Sequence, residues 1–246
     1  MIKVLYVNGC SHSAGAEISR PGFYRQPYNY EHSYGGVISR KFGLIHHNDA
    51  IEGGSNNLIE TTTIQSILTL LETYHPSEIF VIIGWTGYDR SEATYKNKLY
   101  RFIPNSVIQD CPYTVNEWYK FWVANTDNDA SMNKFLLQYG LVSTFLKYHN
   151  IKYYFFNSII PAYIPKINLL HEVLDNKPNA HLINMMKNDQ NFLEPFNSDK
   201  TFYNILKKNH DGRKDGRWHH FTEDGHLAWA EFLLERIEEL YPKLWT

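Results

Sequence analysis

Residues 1–15 read MIKVLYVNGCSHSAG, and the fold turns on how this stretch is read. Ile2 to Val7 is a short apolar, β-rich run that stops at Asn8-Gly9, the pattern of a strand buried on both faces. A cysteine, two serines and a histidine follow at once. A turn of this kind can cradle a phosphate, expose a nucleophile or merely reverse the chain.

Working outward, three more runs read as strands: Leu44–Ala50, Glu78–Gly84 and Lys152–Asn157. Helical spacing appears at Ser33–Phe42, Leu58–Tyr74, Met132–His149 and Glu223–Leu240. Ser55 or Asn56 is the expected N-cap of the second of these helices, and Thr222 that of the last. Leu227, Ala230, Leu234 and Ile237 form the expected apolar stripe of the last helix. An aromatic-rich insertion at about 90–130 reads as irregular chain with some short helix. A polar segment at about 161–210 carries only weak helical patches. No internal repeat is present. The 246 residues suit one domain spanning 1–246. Strands alternating with helices predict an α/β fold, a central parallel sheet covered on both faces. In such sheets ligands sit at the carboxyl ends of the strands. Three of those ends carry unusual chemistry: Gly9-Cys10-Ser11-His12, Gly53-Gly54-Ser55-Asn56 and Gly84-Trp85-Thr86-Gly87.

Composition narrows the function. A net charge of -2 excludes the basic excess of a general nucleic-acid or membrane-surface binder. The two cysteines form no CxxC pair, so neither a zinc site nor a disulfide framework is indicated; a single Cys10–Cys111 bridge is the one pairing the count allows. No HExxH occurs, and His46 and His47 read as strand residues on opposite faces, so no metal is expected. No apolar run approaches the roughly 20 residues of a membrane helix, and the first apolar stretch is short for a signal sequence; a cytoplasmic protein is expected.

The opening turn lacks the Gly-x-x-x-x-Gly-Lys and Gly-x-Gly-x-x-Gly phosphate patterns. It also lacks the Gly-x-Ser-x-Gly elbow, because Ser13 stands where the second glycine belongs. Cys10 reads as a small packing residue beneath the turn. Near the other terminus, DGRWHHFTEDGHLAWA offers Asp215, His219, His220 and His226 around a helix entry, the setting of an imidazole oriented by a carboxylate.

With these segments in view, the chain resembles the SGNH (GDSL-like) hydrolases. GCSHSAG matches the first block of that superfamily, AIEGGSNN the second, IIGWTGYDR the third and HHFTEDGHLAWA the last, in order. The resemblance implies a three-layer α/β/α sandwich, flavodoxin-like, and a serine-dependent esterase with no cofactor. It implies Ser11 as nucleophile, His220 as base with His219 as alternate, and Asp215 as the orienting acid. The oxyanion hole would comprise Ser11, Gly53 (or Gly54) and Thr86, backed by the positive end of a helix following Ser11. Cys10 replaces the usual aspartate, Thr86 the usual asparagine and Phe221 the usual proline, and Asp215 lies five residues before His220 rather than three.

Trp85, Tyr88 and Arg90 are the expected substrate contacts. Tyr113, Trp118, Tyr119 and Trp122 would add either a cleft wall or a satellite apolar cluster. Asp89 and Arg90 would pair with each other or meet a polar ligand. The expected partner is a small-molecule or carbohydrate ester, with an O-acetylated carbohydrate as the first choice. A second reading is an SGNH-fold binding protein for a carbohydrate or other small polar ligand, catalytically impaired by the changes at Thr86 and Asp215.

Overall fold

A computed structural model describes residues 1–24, 26–104, 111–159, 180–210 and 220–245. Its centre is a parallel sheet of four strands, β1 (Val4–Gly9), β2 (Ile45–Asn48), β3 (Ile79–Trp85) and β6 (Lys152–Asn157), in the order β2-β1-β3-β6. Between β3 and β6 the chain makes a separate antiparallel hairpin of β4 (Ser91–Tyr95) and β5 (Lys98–Phe102).

The apolar runs become strands because both of their faces are covered. Tyr6, Ile79, Val81, Ile83, Trp85, Tyr153 and Phe155 point to one side. There they meet α3 (Asn56–Leu71), α5 (Asn128–Tyr148) and α6 (Ala180–Lys187). Leu5, Val7, Phe80, Ile82, Tyr154 and Phe156 point to the other. Here they meet α2 (Tyr34–Phe42), α7 (Phe202–His210) and α8 (Glu223–Leu240). The alternation is the two-residue period of a strand, and it makes the three layers.

Helix ends follow local chemistry. Ser33 caps α2 by accepting from Gly36 N–H, and Gly43 ends it in the left-handed conformation at φ 64°. Ser55, rather than Asn56, caps α3 and accepts from Leu58 N–H. Glu223 and Asp224 suit the positive end of α8, but Thr222 makes no side-chain cap. Leu227 is 45% exposed. The buried stripe of α8 instead comprises His226, Trp229, Ala230, Leu233, Leu234 and Ile237.

The insertion is more ordered than its composition suggests. Besides the β4–β5 hairpin it contains α4 (Tyr113–Asn125). Phe102 packs on Tyr119 and Trp122 of α4, both at 5.6 Å between ring centroids, and Tyr95 on Trp118 at 5.8 Å. These aromatics form a satellite cluster between hairpin and helix; Tyr113 stands 78% exposed outside it.

His46 and His47 do face opposite ways. His47 stacks on Tyr6 and bonds Asp49 at 3.1 Å, while His46 lies against Gly35 of α2. Cys10 and Cys111 are not bridged to each other, and Cys10 is fully buried. Among the described residues no helix is long and apolar enough to cross a membrane.

Candidate functional site

The site lies where β1 and β3 end side by side, the point at which the strand order reverses. Gly9 pairs with Gly84 there, and both are glycine for reasons of space. A Cβ on Gly9, whose φ is 152°, would come within 2.3 Å of Ser13 Oγ and 2.7 Å of Gly84 O. One on Gly84 would strike Ser158 Oγ at 2.5 Å and Ser13 Oγ at 2.6 Å.

Ser11 follows β1 in a tight turn closed by Ala14 N–H to Cys10 O (3.0 Å) and Ala16 N–H to Ser11 O (2.9 Å). No helix follows it; the next one is α1 (Pro27–His32). The expected helix dipole behind Ser11 is therefore missing, and only local N–H groups remain on that side. Asn48, at the end of β2, steadies the turn by donating to Ser13 O at 3.1 Å, and Tyr34 OH donates to Ser13 Oγ at 2.9 Å.

His220 reaches the same corner. Its ring lies 5.3 Å from that of His12, the residue next to Ser11. Its Nδ1 is 2.6 Å from Oε2 of Glu17. Asp215 and His219 lie outside the described residues, so the carboxylate on His220 is one that the sequence reading did not name. Glu17 is only 1% exposed. Burial alone would raise its carboxyl, but hydrogen bonds from His220, Gly22 N–H (2.5 Å) and Tyr24 OH (3.3 Å) outweigh burial and hold it at about 2. An ionised carboxylate only accepts, so Nδ1 carries the proton and Nε2 keeps the free lone pair. Glu17 also adopts φ 63°, left-handed backbone that costs a non-glycine residue of order 1 kcal/mol or more and is enriched at functional sites. A positive-φ glutamate leaves no mark in sequence, which is why it was missed. Ser11 Oγ and His220 are not hydrogen-bonded to each other.

The other two strand-end loops close around this corner. Ile51 N–H donates to Gly9 O at 3.2 Å, so the Gly53-Gly54 loop is laced to the end of β1. Gly53 takes φ 68°, and a Cβ on Gly54 would sit 3.7 Å from Gly9 O. Thr86 follows β3 and is 5% exposed. Asn56 grips its peptide from both sides: Thr86 N–H donates to Asn56 Oδ1 (2.9 Å), and Asn56 Nδ2 donates to Thr86 O (3.1 Å). Thr86 Oγ1 is buried with no partner among the described residues.

Of the expected substrate contacts, Trp85 is fully buried, edge-on to Phe135 and Phe155 at 5.5 and 5.7 Å. It is a core residue, because the period of β3 turns it toward α5. Tyr88 is half-buried against the same core. Arg90 N–H donates to Gly87 O at 3.3 Å. Burial raises the Asp89 carboxyl and the neighbouring Arg90 guanidinium pulls it back. On the other flank, Phe23, Tyr24 and Tyr28 are 36%, 41% and 45% exposed, and the Tyr24 ring is 6.1 Å from that of His220. Among the described residues no group of three or more His, Cys, Asp or Glu side chains is placed to hold a metal ion.

A family model described as a family of unknown function (DUF6071) matches residues 17–177. No curated protein matches the sequence. Among solved structures, a family two carbohydrate esterase from Clostridium thermocellum in complex with cellohexaose is 12% identical, with a TM-score of 0.51; the match covers 99% of this chain and 65% of that one. The acetyl xylan esterase Est2A from the rumen bacterium Butyrivibrio proteoclasticus is 12% identical at a TM-score of 0.52, with the same coverages. TesA is 11% identical at 0.50, covering 97% of this chain and 99% of that one. The mixed α/β fold, a parallel sheet between helical layers, is thus the fold of SGNH-type esterases.

Proposed function

The chain belongs to DUF6071, a family of unknown function, and we propose that it is a serine-dependent ester hydrolase working through an acyl-enzyme. The observation that carries this reading is the buried Glu17 carboxylate on Nδ1 of His220, beside the Ser11 turn. A carboxylate there fixes the tautomer that leaves Nε2 basic and stabilises the imidazolium once it forms.

In this reading Ser11 Oγ attacks the ester carbonyl while His220 Nε2 takes its proton. The oxyanion would be held by the N–H groups of Ser11 and Gly53, with Gly54 as alternate, and by Thr86 Oγ1, whose missing partner the oxyanion would supply. His220 then protonates the leaving alcohol, and water, deprotonated by the same nitrogen, frees Ser11. Glu17 takes the part expected of Asp215. Catalytic contacts often tighten only when substrate binds, so the reading does not require a Ser11–His220 hydrogen bond in the free protein. The substrate class that fits is a small ester such as an O-acetylated carbohydrate, with Arg90 and Tyr88 on its rim.

A fluorophosphonate probe tests the reading. It should label the wild type and not Ser11→Ala, and p-nitrophenyl acetate hydrolysis should vanish in His220→Ala. An unlabelled wild type would leave the fold as a binding protein for a small polar ligand.

A further inference from the structure

The helix that starts just after the Gly53-Gly54 loop lacks something that helices of its length usually carry. The first turn of α3 holds no acidic residue to meet its positive end. The acid comes instead from the hairpin. Glu92 of β4 accepts from both Ser55 Oγ and Asn57 Nδ2, while the Ser55 oxygen still accepts from Leu58 N–H. One carboxylate therefore binds the cap residue and the second residue of the helix together.

Arg101 stands opposite Glu92 in the hairpin register, and its Nη1 donates to Glu52 O. Ile103, two residues further on, presses on Gly53: a Cβ there would come within 2.9 Å of Ile103 Cδ1 and 3.7 Å of Arg101 Cδ. Residues 52, 53, 55 and 57 thus all meet the hairpin or the residue that follows it. Their other side is laced to the end of β1 by Ile51 N–H to Gly9 O. The hairpin is in turn fixed from outside, with Phe102 packed on α4 and Tyr119 OH donating to Ile103 O at 3.0 Å.

We propose that the β4–β5 hairpin braces the oxyanion loop, with Glu92 and Arg101 as positioning residues that hold Gly53 N–H on target. The inference rests on the esterase reading given above. Neither side chain touches substrate. Each acts through the backbone of residues 52–57, where a displacement of about 1 Å is enough to cost up to about 10²-fold in rate.

The test is a comparison of wild type, Glu92→Ala, Glu92→Gln and Arg101→Met. It uses p-nitrophenyl acetate kinetics, fluorophosphonate labelling and amide hydrogen exchange over residues 52–58. Glu92→Ala should lower kcat about tenfold with KM unchanged within about twofold, because the lost term belongs to the transition state. Glu92→Gln keeps one acceptor and should recover to within about threefold of wild type. Exchange over 52–58 should quicken in Glu92→Ala and Arg101→Met while the central strands stay protected. Unchanged kcat together with unchanged exchange in Glu92→Ala would overturn the brace. So would a loss of protection throughout the molecule, which would make Glu92 a general stability residue. An unlabelled wild type would sink the esterase reading instead, and exchange alone would then decide whether the hairpin holds the loop.

Discussion

Glu17 Oε2 and His220 Nδ1 meet at 2.6 Å across 203 residues of chain. The carboxylate comes from the turn that begins at Ser11. The pair fixes one imidazole tautomer, and exchanging the carboxylate for an amide tests it. In Glu17→Gln the amide can offer an N–H to Nδ1 and favour the wrong tautomer. Its kcat should fall by about 10²–10⁴, with the folded state retained by circular dichroism. Asp215→Asn tests the sequence-based alternative, and an equal loss there would shift the acid back to Asp215.

The same pair has a defined acid limit. The Glu17 carboxyl is held at about 2 against an ordinary 4.5. Its contribution to stability is therefore complete above about pH 4.5 and disappears as the pH falls through 2. The downfield Nδ1–H proton resonance of His220 should persist at pH 4 in the wild type and be absent from Glu17→Gln at any pH.

Thr86→Val separates a reactive hydroxyl from a structural one. Thr86 Oγ1 is buried without a partner among the described residues, so its loss removes no internal hydrogen bond, and the melting temperature should hold or rise. If it donates to the oxyanion, kcat should drop by about 10²–10³. Wild-type kcat in this variant would remove Thr86 from the mechanism.

Acid lability should come from His226, which is fully buried and whose Nδ1 accepts from Tyr34 N–H at 3.3 Å. Burial, with a smaller push from His220, lowers it to about 3 from 6.5. The unfolded chain thus takes up a proton that the folded chain refuses, and stability falls as the pH drops from 6.5 toward 3. At pH 5 the loss amounts to about 2 kcal/mol. His226→Asn keeps an acceptor for Tyr34 N–H and cannot be protonated. Its urea midpoint should change less between pH 7 and pH 5 than that of the wild type.

Along α8, Leu227 and Trp229 should part company. Leu227→Gln alters an exposed side chain and should stay within about 0.5 kcal/mol of wild type. Trp229→Ala empties a site packed by Phe156 at 5.0 Å and Phe202 at 5.1 Å and should cost about 3–5 kcal/mol. Equal effects in urea unfolding would mean that the helix is rotated from this placement.

The sequence was most legible where one physical signal dominated. Lys152–Asn157 and Glu223–Leu240 begin and end as their apolar patterns indicate. The buried face of α8 was harder, because Leu227 is apolar yet exposed and periodicity alone does not fix the phase of an 18-residue helix. The hairpin went unread because Ser91–Phe102 is polar on one face and its turn residues, Lys96 and Asn97, take positive φ without glycine. In the candidate site, Gly9, Gly53 and Gly84 stood out as glycines at strand ends, and Ser11 entered through the family resemblance. Glu17 did not, since a lone glutamate in a turn looks like any solvated charge until the chain folds it against a histidine from the far end. Trp85 misled for the opposite reason: it follows an unusual glycine but obeys the period of its strand.

The distance in sequence between Glu17 and His220 also sets an order of events during synthesis. β1 and the Ser11 turn leave the ribosome before α8, yet β1 lies inside the sheet and pairs with β2 and β3. Glu17, in the turn that follows β1, waits for His220, which stands just before α8, the last helix described. Contacts of such separation form late, because the loop that they close must be paid for in entropy before they stabilise anything. A nascent chain that has not yet made His220 therefore carries Ser11 without the oriented imidazole. If Ser11 is the nucleophile, fluorophosphonate labelling of stalled chains of increasing length should begin only once the chain is long enough to dock α8.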